Sequence, residues 1–327
     1  MTRVALVMIA ICAVLFAGSL LAGPLNVTPL RALGALLGAE DTPLAVVMQE
    51  IRLPRALLGL MVGGSLGLSG AALQGYLRNP LAEPGLIGVT GAAALGAVLA
   101  LQSGFATLFA LALPLSALGA AVIAVLVILL LAGPRGGSIT LILAGIAISA
   151  LAGALTSLVL NLSPNPFATA DIVFWMMGSL ADRSFTHVWL ALPFMAAGWV
   201  LLLGLGRGLD ALTLGEDAAQ AMGMRLDRLR LALILGVAAS VGAATAVAGA
   251  IGFVGLVAPH LLRPFVGGRP SALLWASMLG GAGMVLAADI AVRVFLPERD
   301  LKLGVLMALV GAPLFLHLIY KTRKELP

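Results

Sequence analysis

Long apolar runs separated by short polar breaks set the pattern of this chain. The first run, residues 4–22, is closed by Gly23-Pro24. Others occupy residues 56–77, 85–102, 107–132, 138–160, 187–206, 229–248, 273–292 and 304–320. Most approach the roughly 20 apolar residues that cross a hydrocarbon core about 30 Å thick. Residues 249–264, interrupted by Pro259, read as a shorter, broken helix and bring the predicted spans to about ten. The apolar positions are contiguous rather than alternating, which favours helices over transmembrane strands. Residues 172–180 are apolar but too short to span, so they predict an interfacial or re-entrant helix. Residues 4–22 also fit a signal peptide, although their length and the spans that follow favour a first membrane helix. The expected architecture is all-α: one polytopic membrane domain over residues 1–327.

Composition strengthens this reading. The chain is 61% hydrophobic and only 10% charged, which leaves too little polar surface for a soluble domain. Its 40 glycines suit close helix packing in lipid. Cys12 is the only cysteine, which excludes disulfide frameworks, iron–sulfur clusters and thiolate zinc sites. His187, His260 and His317 are too scattered for a local metal motif, so no metal ligands are assigned. The net charge of +5 has a topological rather than a nucleic-acid explanation. With the N-terminus inside and the spans alternating, twelve of the 19 basic residues fall on the cytoplasmic side. The other seven are Arg31, Arg52, Arg55, Arg183, Arg293, Arg299 and Lys302. Both termini are therefore expected inside, and the outer arginines run against the rule.

The longest polar interruption is residues 205–230, with four arginines and four carboxylates. Thr213-Leu214-Gly215-Glu216 has the S/T-x-x-E form of a capping box, predicting a helix that starts near Leu214. Glu216 and Asp217 would favour its dipole, and Gly223 is placed to end it. The result is a two-turn helix of about residues 214–222, within a cytoplasmic loop of about 207–228. No Walker A motif exists, because Lys302, Lys321 and Lys324 all lack the preceding glycine pattern. A chain without its own ATP site that presents a formed helix to the cytoplasm implies a separate ATPase partner. Asp289, the one carboxylate placed clearly within a span, is expected to pair with Arg293 one helical turn later.

Several short motifs occur in order: Arg52-Leu53-Pro54-Arg55 with Gly63, Ser69-Gly70 and Gln74, then Asn79-Pro80-Leu81-Ala82, Pro84 and Gly88. Trp175-Met176-Met177-Gly178-Ser179, Leu214-Gly215 with Gly223, and residues 249–256 follow. Pro259-His260 with Arg263, Ala288-Asp289, Arg293 and Gly311-Ala312-Pro313 complete the set. In this order and spacing the chain resembles, over nearly its whole length, FecCD-type permeases of ATP-binding-cassette importers for iron-siderophores, haem and cobalamin.

That resemblance implies a type II importer permease in the bacterial inner membrane, homodimeric, with a path along the dimer axis. It implies two ATPase subunits, which bind ATP and Mg, and a periplasmic substrate-binding protein. The permease itself would bind no cofactor and carry no catalytic residue. Leu214, Gly215, Glu216, Asp217, Ala218, Ala219, Met222 and Gly223 would form the ATPase-coupling helix. Arg52, Arg55 and Arg293 would meet glutamates of the binding protein, which explains arginines outside. Gly85, Gly88, Gly91, Gly137 and Ser138 would line or gate the path. His260 is shared by family members with different substrates and is assigned a structural role. The cargo is expected to be a bulky iron chelate, haem or a ferric siderophore, with cobalamin as the alternative.

One departure stands out. Where the family has Glu-Leu-Pro-x-Gly before the last span, this chain has Asp300-Leu301-Lys302-Leu303-Gly304, which puts that loop's geometry in question. Two readings of other classes compete. Gly67-Leu68-Ser69-Gly70 fits the G-x-S-G of rhomboid intramembrane proteases, with His260 or His317 as the partner. An ion-coupled secondary transporter would need no ATPase.

Overall fold

The computed structural model describes residues 2–25, 27–38, 43–109, 111–133, 138–295 and 301–325. Gly137, together with Asp300 of the departing loop, lies outside the described residues. Among the described residues the chain is helical, with no strand. In order the helices are α1 Thr2–Leu21, α2 Pro29–Leu36, α3 Pro43–Val46, α4 Leu53–Leu77, α5 Val89–Gln102, α6 Ala112–Ala132, α7 Ser138–Asn161 and α8 Pro166–Met176. They continue as α9 Phe185–Gly204, α10 Gly206–Leu212, α11 Glu216–Ala221, α12 Leu226–Ala248, α13 Val254–Leu262, α14 Pro270–Phe295 and α15 Leu303–Glu325. Seven candidate spans among the described residues are long and apolar enough to cross a membrane, built on α1, α4, α6, α7, α9, α12 and α14. Shorter apolar helices at α5, α13 and α15 coincide with the remaining runs of the hydropathy pattern.

α4 is the axis of the molecule. Small and apolar residues surround it, and Leu58, Leu68, Ala72 and Leu73 are fully enclosed. It packs antiparallel to α14 at a contact made by glycines. A Cβ on Gly63 would lie 2.8 Å from Ala282 Cα, and one on Gly67 would lie 3.0 Å from the Ser277 carbonyl carbon. Backbone meets backbone here because hydrocarbon supplies no hydrophobic drive, and close van der Waals packing must hold the helices. α1 runs parallel to α14 along its outer side, where Cys12 Sγ donates to Leu279 O at 3.1 Å.

Chain chemistry explains several boundaries. Pro166 occupies the first turn of α8, and the Asn165 side chain accepts from Phe167 N at 3.0 Å. α8 therefore starts before the predicted 172–180 run and stays too short to span. A π-helical segment, Val47–Arg52, leads into α4 and turns Arg52 inward.

Candidate functional site

The first cluster lies where α1 and α14 end and α4 begins. Asp289 is 2% exposed, and two guanidinium groups neutralise its carboxylate. Arg55 Nη2 reaches Oδ1 at 2.9 Å, and Arg293 Nη2 reaches Oδ2 at 2.7 Å. The predicted Asp289–Arg293 pair is present, and Arg55, 234 residues away in sequence, completes it. Arg293 also donates to Ser19 O at 2.9 Å, Ala22 O at 3.1 Å and Ser19 Oγ at 2.6 Å. Arg52 was expected on a docking face, yet it is 4% exposed. Its guanidinium donates to Leu20 O at 2.9 Å, Leu21 O at 3.1 Å and Leu25 O at 3.0 Å. The reason is the helix end: the last carbonyls of α1 have no intrahelical partner, and a cation beside them satisfies both hydrogen bonding and the dipole.

The second cluster lies at the opposite end of α4, about 37 Å away at 1.5 Å per residue. The expected helix is present as α11, Glu216–Ala221, shorter than predicted. Leu214 and Gly215 precede it, Glu216, Asp217, Ala218 and Ala219 lie within it, and Met222 follows. Gly223, with φ 82, closes it: Gly223 N bonds Gln220 O at 2.8 Å and Met224 N bonds Ala219 O at 3.0 Å. This is a Schellman arrangement. The predicted capping box does not form. Thr213 Oγ1 instead donates to Asp210 O at 2.7 Å, because the residues before it form α10 and need a C-terminal partner. Gly215, with φ 106, takes the N-cap position of α11.

Asp210 of α10 fastens this end to α14. It accepts from Ser271 N at 2.8 Å, Ser271 Oγ at 2.7 Å and Arg269 Nε at 2.9 Å. Burial alone would push its carboxyl up, but the bonds from Ser271 and Arg269 together outweigh burial and hold it below the ordinary range.

The third region lies between these ends. Pro84 Cδ would lie 2.6 Å and Leu66 O 2.9 Å from a Cβ on Gly255, so all three share one level. Leu66 is near the middle of the 25-residue α4. Glu83, adjacent to Pro84, is therefore level with the middle of α4, although the hydropathy pattern places it in a polar break between the runs 56–77 and 85–102. α5 covers about 21 Å at 1.5 Å per residue, too little to cross alone, so the chain climbs through residues 78–88, where Pro84–Ile87 forms a short 3-10 turn. Glu83 Oε1 accepts from Phe253 N at 2.8 Å. A cavity of about 110 Å³ opens beside it, lined by Leu66, Gly85, Thr90, Ala250 and Gly252, among others. Of the expected path glycines, Gly85 borders this cavity. Gly88 and Gly91 instead face α7, with Gly145 O 2.7 Å and Ala152 Cβ 3.7 Å from where their Cβ atoms would lie. Ser138 is the first residue of α7.

Lys302 accommodates the departing sequence. Its carbonyl accepts Val305 N at 3.1 Å in the first turn of α15, and its ammonium sits 5.6 Å over the Phe174 ring. Among the described residues Ser69 Oγ is buried with no hydrogen-bond partner, so neither His260 nor His317 bonds it here.

A membrane-embedded helical bundle with distinct polar clusters at its two ends is the architecture of a transport permease. Residues 10–321 match the family model described as the FecCD transport family, and the chain belongs to that family. It is 38% identical to the achromobactin transport system permease protein CbrC of Dickeya dadantii, over 98% of this chain and 92% of that one. It is 37% identical to the vitamin B12 import system permease protein BtuC of Klebsiella pneumoniae, over 84% of this chain and 82% of that one. A solved structure described as a metal-chelate type ABC transporter in an inward-facing conformation superposes with a TM-score of 0.87. That match covers 98% of this chain and 100% of the other, at 32% identity. Such permeases are non-catalytic subunits that work with ATPase and substrate-binding components.

Proposed function

We propose that the chain is the permease of an inner-membrane importer and passes a metal chelate, haem or a ferric siderophore, between two copies of itself. Cobalamin is the second reading, favoured by the nearly equal similarity to a vitamin B12 permease. The observation that supports the transport role is the placement of two unlike clusters at opposite ends of α4 and α14. In this reading α11 and both termini face the cytoplasm, where an ATPase dimer carrying ATP and Mg grips residues 214–223. The arginine end faces a periplasmic binding protein. Arg55 and Arg293, with side chains 19% and 11% exposed, are its contact groups there, and Arg52 braces α1 behind them. Charge complementarity would orient the partner and speed its arrival.

The test is uptake into proteoliposomes holding the permease, its ATPase and the binding protein. ATP-dependent accumulation of haem or ferric siderophore is expected. Uptake driven by an ion gradient without ATPase would overturn this reading, and accumulation of cobalamin alone would select the second one.

A further inference from the structure

The break between α12 and α13 holds strained backbone. α12 stops at Ala248, and the chain runs non-helically to Phe253, whose φ of 66 is left-handed for a residue with a bulky side chain. Such a conformation costs about 1–2 kcal/mol and persists only where neighbours enforce it. Three neighbours do so. Glu83 Oε1 takes the Phe253 N–H at 2.8 Å. Gly311 of α15 lies against the Phe253 side chain, so that a Cβ there would come within 2.9 Å of the ring Cδ1. Ser179 N bonds Ala248 O at 2.7 Å, fixing the segment's start.

Non-helical backbone at this depth survives only where protein buries it or where it borders a cavity, and here it borders the 110 Å³ cavity beside Glu83. A carboxylate at that depth is costly and marks function by default. Its carboxylate accepts the Phe253 N–H, one of the peptide groups that the break leaves outside the helices. We infer that Glu83 is a positioning residue for transport: its carboxylate latches the 249–253 segment in place, and passage of cargo requires the latch to open and re-form. The inference rests on the transport reading but concerns a group that neither end cluster uses.

The test uses the assembled transporter in a Cys12→Ser background, which removes the permease's only native thiol, and labelling is read on the permease band. Ile251, 6% exposed, is changed to cysteine as a reporter of segment opening to a membrane-permeant maleimide. Glu83→Gln keeps an oxygen acceptor and is expected to match wild type in both labelling and uptake. Glu83→Ala removes the acceptor, and Glu83→Asp is one methylene too short. Each is expected to label about tenfold faster and transport about tenfold less, the factor set by losing one hydrogen bond to an oxygen acceptor. Association with the ATPase and basal ATP hydrolysis should stay unchanged. Wild-type labelling in Glu83→Ala, or equal defects in Glu83→Gln and Glu83→Ala, would overturn the latch. If Glu83→Ala fails to accumulate, Glu83→Asp decides. If wild type shows no ATP-driven uptake, the transport reading fails, while labelling still tests the latch.

Discussion

Arg55 holds Asp289 with two nitrogens, Nε and Nη2, each 2.9 Å from Oδ1. The pair joins the first turn of α4 to the last turns of α14, and Arg293 adds the end of α1. Asp289 is therefore the single anion to which two cations from different helices are anchored. Removing it with Asp289→Ala leaves both uncompensated, and about 3–5 kcal/mol of stability should be lost. Thermal unfolding in detergent reads this directly. Arg55→Ala should cost less, because Arg293 still neutralises the carboxylate.

Docking at this end is tested by Arg55→Glu. The variant should weaken binding-protein association, with the difference from wild type shrinking between about 0.01 and 1 M salt as screening shortens from about 30 to 3 Å. Unchanged affinity at low salt would remove Arg55 from the interface. Arg52→Glu is a poorer probe, since its guanidinium is buried against the carbonyls of α1 and its loss should destabilise the fold.

At the opposite end, Gly223→Ala forces a side chain into left-handed backbone at φ 82, at a local cost of about 1–2 kcal/mol. Together with Glu216→Ala, tested separately, it should lower ATP-driven uptake several-fold while lowering the unfolding temperature of the permease by no more than a few degrees. Full uptake in both variants would exclude α11 from coupling.

Asp210 predicts a pH dependence. Its folded carboxyl titrates below the ordinary 3.8, so its stabilisation is present above that value and is lost as pH falls through the lower, folded value. Asp210→Asn should therefore be less stable than wild type near neutrality, and the difference should begin to shrink as pH falls below about 3.8 and vanish only below the lower, folded value. Unfolding temperatures measured across that range would check it.

The glycine crossing gives a steric prediction. Gly67→Ala places a methyl against backbone on α14, which cannot move aside as a flexible side chain could. A loss of about 1–3 kcal/mol is expected. Gly34→Ala, where nothing lies within 4 Å of the new Cβ, is the control and should be nearly neutral.

The sequence by itself determined the membrane class, most helix extents and the end of α11. Those features follow from local physics: hydrocarbon demands continuous apolar runs, and a left-handed position demands a residue such as Gly223. It also paired Asp289 with Arg293, because residues four apart on a helix are neighbours. Only the tertiary structure decided the rest. Thr213 matched a capping pattern, but the residues before it formed α10 and took its hydroxyl. Arg52 read as an outward arginine, but the unpaired carbonyls of α1 turned it inward. Glu83 fell in the polar break between the runs 56–77 and 85–102, but α5 begins only at Val89, and the chain folds back to half the depth of α4 before that helix begins. In each case the backbone groups left open where helices end or break determined where the side chain went.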